Sequence, residues 1–577
     1  MGYVGPRIKN VCCVGAGYVG GPSSAILALK VPEIDVTVVD KNAARVAAWN
    51  SDTLPFSEPG LLNAVKAARG LDSPLAIEAG QTTTTTPTPQ RRPNLFFSTE
   101  VDSTIRKADL VFVAVETPSG KIDGSGYGAA PDLTSFHAVI KHVAKTAEKD
   151  FILVNKSTVP CGTADATKEI IRPYLRHGIK CQILSNPEFL AEGTAVSDLL
   201  HPDRIVIGCD ETDAGKAAAE ALGYLYANWV SSDKIITMNS RSSELSKLAA
   251  NALLAQRISS INALSAVCDK MGADITQLSR ACGLDHRIGK YMLRSTLGFG
   301  GSCFKKDVLH LTNTAARLGL PDVASYFESV VNINSYQTNR FTENIINRVP
   351  SISVFGYRTV VAVLGFAFKP DTDDTRESPA IPVIRDLVLA GYHVNIYDPL
   401  VHEVQILQDL RTSLGEAQYK IDEQVSICTD VYDACNGASG IAILNSWADL
   451  RYVPSIRNGN FLPRSSDIKI EEIATSVVEI DSNRIDWERI ADGMQNPKYI
   501  FDGHNVLDSS LVELGFCIDG IGRPINVPYL VKEATVETPT STPNKLRSIN
   551  AMSFASFGES DVQSWPASWV RLVPVAE

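Results

Sequence analysis

Short apolar runs that end in glycine, proline or polar turns alternate along this chain with longer stretches whose apolar residues recur every three or four positions. That is the pattern of strands and helices taking turns. The segment IKNVCCVGAGYVGGPSSAILALK, residues 8–30, is the first clear case: an apolar strand, a glycine turn and an Ala/Leu-rich helical stretch, followed by the strand DVTVVD. Further strand-like runs follow in ADLVFVAVETP, FILVNKSTVP and CQILSNPEF. Each ends in polar or proline residues, where an open parallel sheet presents its carboxyl edge to ligand. From about Ser240 to Leu320 the texture turns helical. SSELSKLAANALLAQRISSINALSAVCDKMG has no internal proline and no glycine before its last residue, so it predicts one long helix joining two domains. A second strand-helix-strand unit, TVVAVLGFAFKPDTDDTRESPAIPVIRDLVLAGYHVNIYDP, then repeats the first architecture, with GIAILNSW and YIFDGHNVLD as later strands.

The predicted fold is therefore α/β, two Rossmann-like doubly wound domains joined by a long central helix. The expected division is an N-terminal domain over 1–239, a central helical and dimerisation region over 240–350, and a C-terminal domain over 351–530. A Thr/Pro tract at about 70–93 and a polar stretch at about 451–485 read as insertions, and 531–577 as a disordered Thr/Ser/Pro-rich tail. A chain of 577 residues is too long for one hydrophobic core, which agrees with several domains. The net charge of -11 carries no basic footprint for nucleic acid. No apolar run approaches the ~20 residues of a membrane span, and no signal segment is visible, so the expected compartment is the cytoplasm and no membrane partner is expected. The eleven cysteines show neither paired nor metal-ligand spacing, which predicts free thiols and no metal.

Gly15, Gly17 and Gly20, with Ala16, Tyr18 and Val19 between them, fit the dinucleotide turn G-x-G-x-x-G between a strand and a helix. The first glycine permits the turn, the second lets a pyrophosphate approach the backbone, and the third lets helix pack on strand. Asp40 ends the next strand, where a carboxylate accepts from ribose hydroxyls and repels a 2'-phosphate, favouring NAD over NADP; Arg45 nearby argues the other way. Glu116, Thr117, Ser157, Thr158 and Glu188 fall at strand ends. Lys247 and Asn251 are four apart and share a helix face, either as a converging cation and amide or as solvated side chains. Phe368, Lys369 and Arg376 stand where the first unit has its glycines, which suits a cation-lined site for a diphosphate. In GFGGSCFKKD, Cys303 reads as buried filler or as nucleophile. Lys306 and a helix starting nearby would favour its thiolate, and Gly300 with Gly301 would leave room for a substrate.

In order along the chain, GAGYVGGP, KSTVP, SNPEFLAEGTA, ELSKLAANALLAQRISSIN, GLDHRIG, GFGGSCFKKD and GFAFKPDTDDTRESP resemble the UDP-glucose 6-dehydrogenases within the nucleotide-sugar dehydrogenases. The resemblance covers about 8–525 apart from the two insertions. It implies oxidation of the C6 alcohol of UDP-glucose to a carboxylate with two NAD and no metal, Cys303 serving as nucleophile through a thiohemiacetal and a thioester. It implies that Lys247 and Asn251 hold the C6 oxygen, that Thr158 and Asp307 position a water, and that Glu188 is the acid/base of thioester hydrolysis. Phe189, Leu190, Ala191 and Glu192 become a loop around uracil and sugar, with Glu192 also on the nicotinamide side. Lys306 and Arg376 fall near the cofactor, and Arg294, Phe299, Gly300, Phe368 and Lys369 near the substrate. Arg287 matches an arginine lent to a neighbouring subunit, so the resemblance implies a homo-oligomer, at least a dimer and, as in animal relatives, a hexamer.

Two positions depart from the pattern. Glu116 stands where many relatives have Asn, which alters contacts to NAD. His504 replaces an arginine that helps to bind the nucleotide, so His504→Arg is expected to tighten binding, and protonation of His504 between about pH 7.5 and pH 6 to do so partially. Two other readings stay open: the same chemistry on GDP-mannose or UDP-N-acetylmannosamine, and an inactive nucleotide-sugar scaffold.

Overall fold

The computed structural model describes residues 8–71, 91–118, 131–353, 356–450 and 485–528. All but the edges of the two expected insertions, and the whole expected tail, lie outside them. Eight strands form the first sheet: β1 (Asn10–Val14), β2 (Asp35–Val39), β3 (Leu95–Ser98), β4 (Leu110–Val113), β5 (Phe151–Asn155), β6 (Cys181–Ser185), β7 (Ile205–Cys209) and β8 (Ile235–Asn239). They lie in the order β3-β2-β1-β4-β5-β6-β7-β8. All neighbours are parallel except β6 and β7, which meet antiparallel at Ser185 and Gly208. The second sheet has six strands, all parallel: β9 (Val360–Leu364), β10 (His393–Tyr397), β11 (Val425–Ile427), β12 (Gly440–Ile443), β13 (Lys498–Asp502) and β14 (Phe516–Gly520), ordered β11-β10-β9-β12-β13-β14. Both sheets thus reverse direction beside their first strand, and both are Rossmann-like. In such sheets the ligand crevice lies at the carboxyl ends of the strands flanking that reversal.

The burial patterns explain why these runs are strands. β4, β5 and β12 are buried at every position, as expected of strands covered by helices on both faces. The first glycine turn is held from beneath by Trp49, which is fully buried, stacks on Phe97 at 4.7 Å between centroids and donates Nε1–H to the Ala16 carbonyl at 2.9 Å.

A single helix, Ser240–Met271, runs on from β8 as the alternation predicted. Asn239 caps it by accepting from the Ser242 amide at 2.8 Å, and Gly272 closes it in the left-handed conformation at φ +69. Its inner face is rich in small and polar residues, so it is held by specific partners as much as by apolar area. Ala252 and Ala255 pack with Phe299, Val308, Val330 and Val331, which brings in the helices Phe304–Arg317 and Pro321–Arg348. Among the described residues no helix is long and apolar enough to cross a membrane.

Gly300 and Gly301 serve a purpose the sequence did not reveal. A Cβ on Gly300 would sit 2.7 Å from the Phe368 Cβ and 2.6 Å from the Glu377 carbonyl oxygen; one on Gly301 would sit 2.9 Å from the Phe368 ring. The room they leave is filled by the turn after β9. The Gly301 amide also donates to the Arg376 carbonyl at 2.9 Å, and Lys305 pairs with Glu377 at 2.7 Å. The loop before Cys303 is thereby docked on the second sheet. Gly301 lies at φ +81, so Gly301→Ala combines backbone strain with overpacking and should cost about 1–3 kcal/mol. A calorimetric melt should show a lower midpoint; an unchanged melt would mean that the docking of these two loops adds nothing to stability.

Candidate active site

Cys303 is the residue at which the Gly-rich loop becomes the helix Phe304–Arg317, and it is half-buried. Asp307 lies one turn into that helix and is 1% exposed. The central helix brings Lys247 and Asn251 against them, and the loop after β6 brings Glu188. The shared helix face expected of Lys247 and Asn251 is real, and both are buried. Lys247 Nζ pairs with Glu188 Oε1 at 2.8 Å, and Asn251 Nδ2 donates to Asp307 Oδ2 at 2.6 Å. The other Glu188 oxygen accepts from the Leu190 amide at 2.7 Å. Asp307 Oδ1 is buried with no hydrogen-bond partner, an acceptor left open toward whatever enters the site.

The charges of this cluster are set by burial and by the lysines around it, Lys247 above all for Glu188 and Cys303. Burial alone would raise the Glu188 carboxyl, but Lys247, the Leu190 amide and the more distant Lys156 outweigh it and hold the group below its usual range. Lys247 loses by desolvation but gains more from Glu188, so its pKa is raised. Asp307 is pushed up by burial, against Lys306, Lys247 and Asn251. Cys303 corrects an expectation. Its thiol is raised, because desolvation together with Glu188 and Asp307 outweighs Lys247 and the Ser302 hydroxyl, which lies 3.5 Å from Sγ. The main cation acting on the sulfur is Lys247, with Arg376 also interacting with it, rather than the sequence neighbour Lys306. The resting cysteine is a thiol, and Lys306 acts instead on Asp307.

The first glycine turn suits a dinucleotide. Gly15 at φ +112 has the Ala114 carbonyl where a Cβ would stand, and Gly20 has the Gly15 carbonyl there, whereas Gly17 has nothing within 4 Å. Asp40 Oδ2 accepts from the Ala16 amide at 3.0 Å and lies 3.3 Å from Arg45 Nη1, so the arginine is held to the carboxylate beside it. A cavity of about 610 Å³ opens over this turn, with Gly17, Tyr18, Arg45, Glu116, Glu192 and Arg376 among its walls. Val19 begins the helix Gly20–Lys30. Ser157 and Thr117 are bound inward: Ser157 Oγ donates to the Val115 carbonyl at 2.7 Å, and Thr117 Oγ1 to the Thr158 carbonyl at 2.7 Å.

Around the loop after β6, Phe189 lies between Arg204, 3.8 Å from its ring centroid, and Lys247, 5.7 Å away. The Ala191 amide donates to Asp198 at 3.0 Å, and the Glu192 carboxylate pairs with Arg376 at 3.3 Å. Lys369 donates to the Glu192 carbonyl, so the cationic turn of the second sheet reaches this loop, and Phe368 packs on Gly300 and Gly301. The Phe299 amide donates to Asn334 at 2.8 Å. Arg294 gives two hydrogen bonds to the His504 carbonyl, at 2.7 and 3.1 Å. His504 departs from expectation: its Nε2 lies 3.0 Å from the Leu444 carbonyl, and burial pushes its pKa down to about 4. Burial thus opposes the protonation expected between pH 7.5 and 6, and the ring nitrogen is turned to the protein's own backbone. Arg287 stands apart from this cluster, 78% exposed and paired with Asp285 at 2.6 Å.

One contributor had no sequence signal. Glu58 is buried and accepts from Tyr18 Oη at 2.6 Å, from the Gly193 amide at 2.9 Å and from the Ala195 amide at 2.6 Å. It joins the glycine turn to the loop after β6, and an acid in the turn preceding the short helix Leu61–Ala68 does not announce such a role.

Comparison with known proteins agrees with this arrangement. Residues 9–73 and 72–230 match the NAD binding domain of the UDP-glucose/GDP-mannose dehydrogenase family, 241–336 its central domain and 362–468 its UDP binding domain. The chain is 44% identical over 527 residues to UDP-glucose 6-dehydrogenase 1 of Oryza sativa subsp. japonica, covering 90% of this chain and 98% of that protein. It is 42% identical over 547 residues to UDP-glucose 6-dehydrogenase of Mus musculus, covering 93% and 99%. Among solved structures it is similar to a UDP-glucose dehydrogenase from Pyrobaculum islandicum, with TM-score 0.63, 29% identity and coverage of 78% of this chain and 92% of that one.

Proposed function

The chain belongs to the UDP-glucose/GDP-mannose dehydrogenase family, and from that premise we propose that it is an NAD-dependent UDP-glucose 6-dehydrogenase, converting UDP-glucose to UDP-glucuronate through Cys303. The observation that carries this reading is the meeting of Cys303, Lys247, Asn251, Glu188 and Asp307 in one buried cluster. Beside it lies a glycine-turn cavity suited to a dinucleotide. Bound NAD supplies the acceptor for a hydride, twice per turnover. Residues 1–239 hold it, with Gly17 admitting the pyrophosphate and Asp40 facing the ribose; 351–530 hold the nucleotide through Lys369, Phe368 and the turn at His504.

The C6 alcohol loses a proton and a hydride and becomes an aldehyde. Lys247 and Asn251 hold its oxygen as charge develops there, an effect strengthened by their burial. Thr158 and the open oxygen of Asp307 hold the water that takes the proton. The Cys303 thiol gives up its proton and its sulfur adds to the aldehyde carbon, forming a thiohemiacetal. The thiohemiacetal hydroxyl then loses its proton to water and its C–H bond gives up a second hydride, for which bound NAD would be the acceptor, which leaves a thioester. Water, directed by Glu188, adds to the thioester carbon; the C–S bond breaks, releasing the carboxylate and restoring Cys303. The protein works in the cytoplasm as a homo-oligomer, at least a dimer and by likeness a hexamer, in which the exposed Arg287 enters a neighbour's site.

The test is NADH formation from a panel of nucleotide sugars. About two NADH per UDP-glucose, and little from GDP-mannose or UDP-N-acetylmannosamine, is the expected result. Preference for another sugar would reassign the substrate, and binding without NADH would make the chain a scaffold.

Cys303→Ser should abolish complete turnover, because a serine hydroxyl is far less ionisable than a thiol and forms no thioester. Two-NADH turnover in that variant would remove Cys303 from its role. Arg287→Ala should also lose most activity, yet regain part of it when assembled with Cys303→Ser, since each chain then supplies what the other lacks. Hybrid oligomers, verified by mass, that stay inactive at every ratio would argue against a shared site.

A further inference from the structure

One buried carboxylate ties the turn after β5 to the central helix and has no part in the chemistry above. Glu244 is 3% exposed and lies about one turn before Lys247 and two before Asn251 on the same helix face. Its Oε2 accepts from the Gly162 amide at 2.6 Å and its Oε1 from the Ala164 amide at 2.7 Å. These amides open the helix Thr163–Ile171, so the carboxylate sits where the helix dipole favours negative charge. The same turn runs back to Ser157 and Thr158: the Ser157 amide donates to the Val113 carbonyl at the end of β4, its Oγ accepts from the Val115 amide, and the Thr158 carbonyl accepts from Thr117 Oγ1.

The neighbouring residue does the matching task on the next strand. Ser243 Oγ donates to Ser185 Oγ at 3.0 Å, at the end of β6. Gly208 of β7 lies so close that a Cβ there would stand 2.5 Å from the Ser243 Cβ. Two successive residues therefore set the helix on the carboxyl ends of β5, β6 and β7, and Lys247 then meets Glu188 at 2.8 Å. A shift of the turn after β5 would move Thr158 relative to Lys247 and Asn251.

We propose that Glu244 is a positioning residue for the oxidation: ionised, it clamps the Ser157–Thr158 turn to the central helix, and on protonation it releases it. The proposal rests on the functional reading above only in taking Thr158 and Lys247 to act on the reacting group. The chemistry of the contact supports a switch. With an amide donor on each oxygen, protonation weakens the bond at whichever oxygen takes the proton, because a hydroxyl oxygen is a poorer acceptor than a carboxylate oxygen. Burial raises the Glu244 pKa to about 7, against the amides of Gly162, Ala164 and Thr163, with Asp165 adding to the rise. The other charges facing it are Arg241 on its own helix, which pairs with Asp165 at 2.9 Å, and Lys168, which engages Asp165 and Asp210; the Cys161 thiol lies in the clamped turn.

The sign separates positioning from plain stabilisation. A carboxyl whose folded pKa lies above its ordinary value binds its proton better in the folded state, so folding stability falls as pH rises toward about 7. The clamp, in contrast, forms over that rise. Activity should therefore climb where stability declines.

The experiment measures kcat, both KM values and the calorimetric melt from about pH 5.5 to about pH 8.5 for the full-length protein and for Glu244→Gln, with UDP-glucose and NAD. Wild type should show an acid limb in kcat near pH 7. In Glu244→Gln that limb should disappear, and kcat at about pH 8 should drop about tenfold or more with KM for UDP-glucose within about twofold. An unchanged limb in the variant, or a kcat equal to wild type at about pH 8, overturns the proposal. Should the variant fail to fold, hydrogen exchange in wild type decides: after correction for intrinsic rates, the Gly162 and Ala164 amides should be better protected above pH 7 than below it. Equal protection overturns the clamp. If wild type oxidises no nucleotide sugar, the functional reading falls while the exchange measurement still judges the clamp.

Discussion

The ion pair between Lys247 and Glu188 is the contact from which the rest of the site takes its position. Its side chains are 4% and 7% exposed and meet at 2.8 Å. Each charge alone would be costly to bury, and removing one partner of such a pair typically costs about 3–5 kcal/mol because the other is left uncompensated. The pair fixes the register of the central helix against the loop after β6. That loop is held in turn to the first glycine turn through Glu58 and Tyr18, and to the second sheet through Lys369 and Arg376. Three segments distant in sequence are thus aligned on one buried charge, and the geometry of the reaction is inseparable from the stability of the fold.

The same ammonium limits what the cysteine can do at rest. Lys247 favours the Cys303 thiolate, but it is already neutralised by Glu188, and Glu188 and Asp307 both oppose a further negative charge. With desolvation added, the thiol keeps its proton. A thiolate formed in advance would be exposed to oxidation and to adventitious electrophiles. In the proposed mechanism ionisation fits the moment when an aldehyde is present to take the sulfur's electron pair, since addition would carry the negative charge from sulfur to the oxygen assigned there to Lys247 and Asn251. The sulfur is kept as a thiol while its cation is spent on positioning.

Much of this was legible in the sequence because it is written in local patterns. Apolar runs ending in polar turns located β1, β2, β4, β5, β6, β9, β10, β12 and β13, and the breaker-free stretch after Ser240 located the long helix. β3, β7, β8, β11 and β14 are not among those runs; β11 spans only the three residues Val425–Ile427. What stayed hidden depends on approach in space. Nothing local says that Gly300 and Gly301 accommodate Phe368, that Glu58 holds three donors, or that His504 spends its ring nitrogen on the Leu444 carbonyl. Nor does sequence proximity identify the main cation acting on Cys303, which is Lys247, far away in the chain, and not the neighbouring Lys306.

The two sheets show how one backbone solution serves two ends. Gly15 and Gly365 follow the first strand of each sheet at φ +112 and φ +108, and each donates its amide to the last residue of the second strand, Val39 or Tyr397. In both, an aspartate just beyond that strand accepts from the turn: Asp40 from the Ala16 amide at 3.0 Å, Asp398 from the Phe366 amide at 2.7 Å. The second sheet lacks the other two glycines of the dinucleotide pattern, yet keeps the aspartate. A carboxylate at this place is thus accounted for by the turn itself, and the two turns differ at the tip, where Gly17 has nothing within 4 Å and the second sheet carries the buried Phe366 and Ala367. The two turns thus carry different side chains at their tips on a frame whose hydrogen bonds are the same.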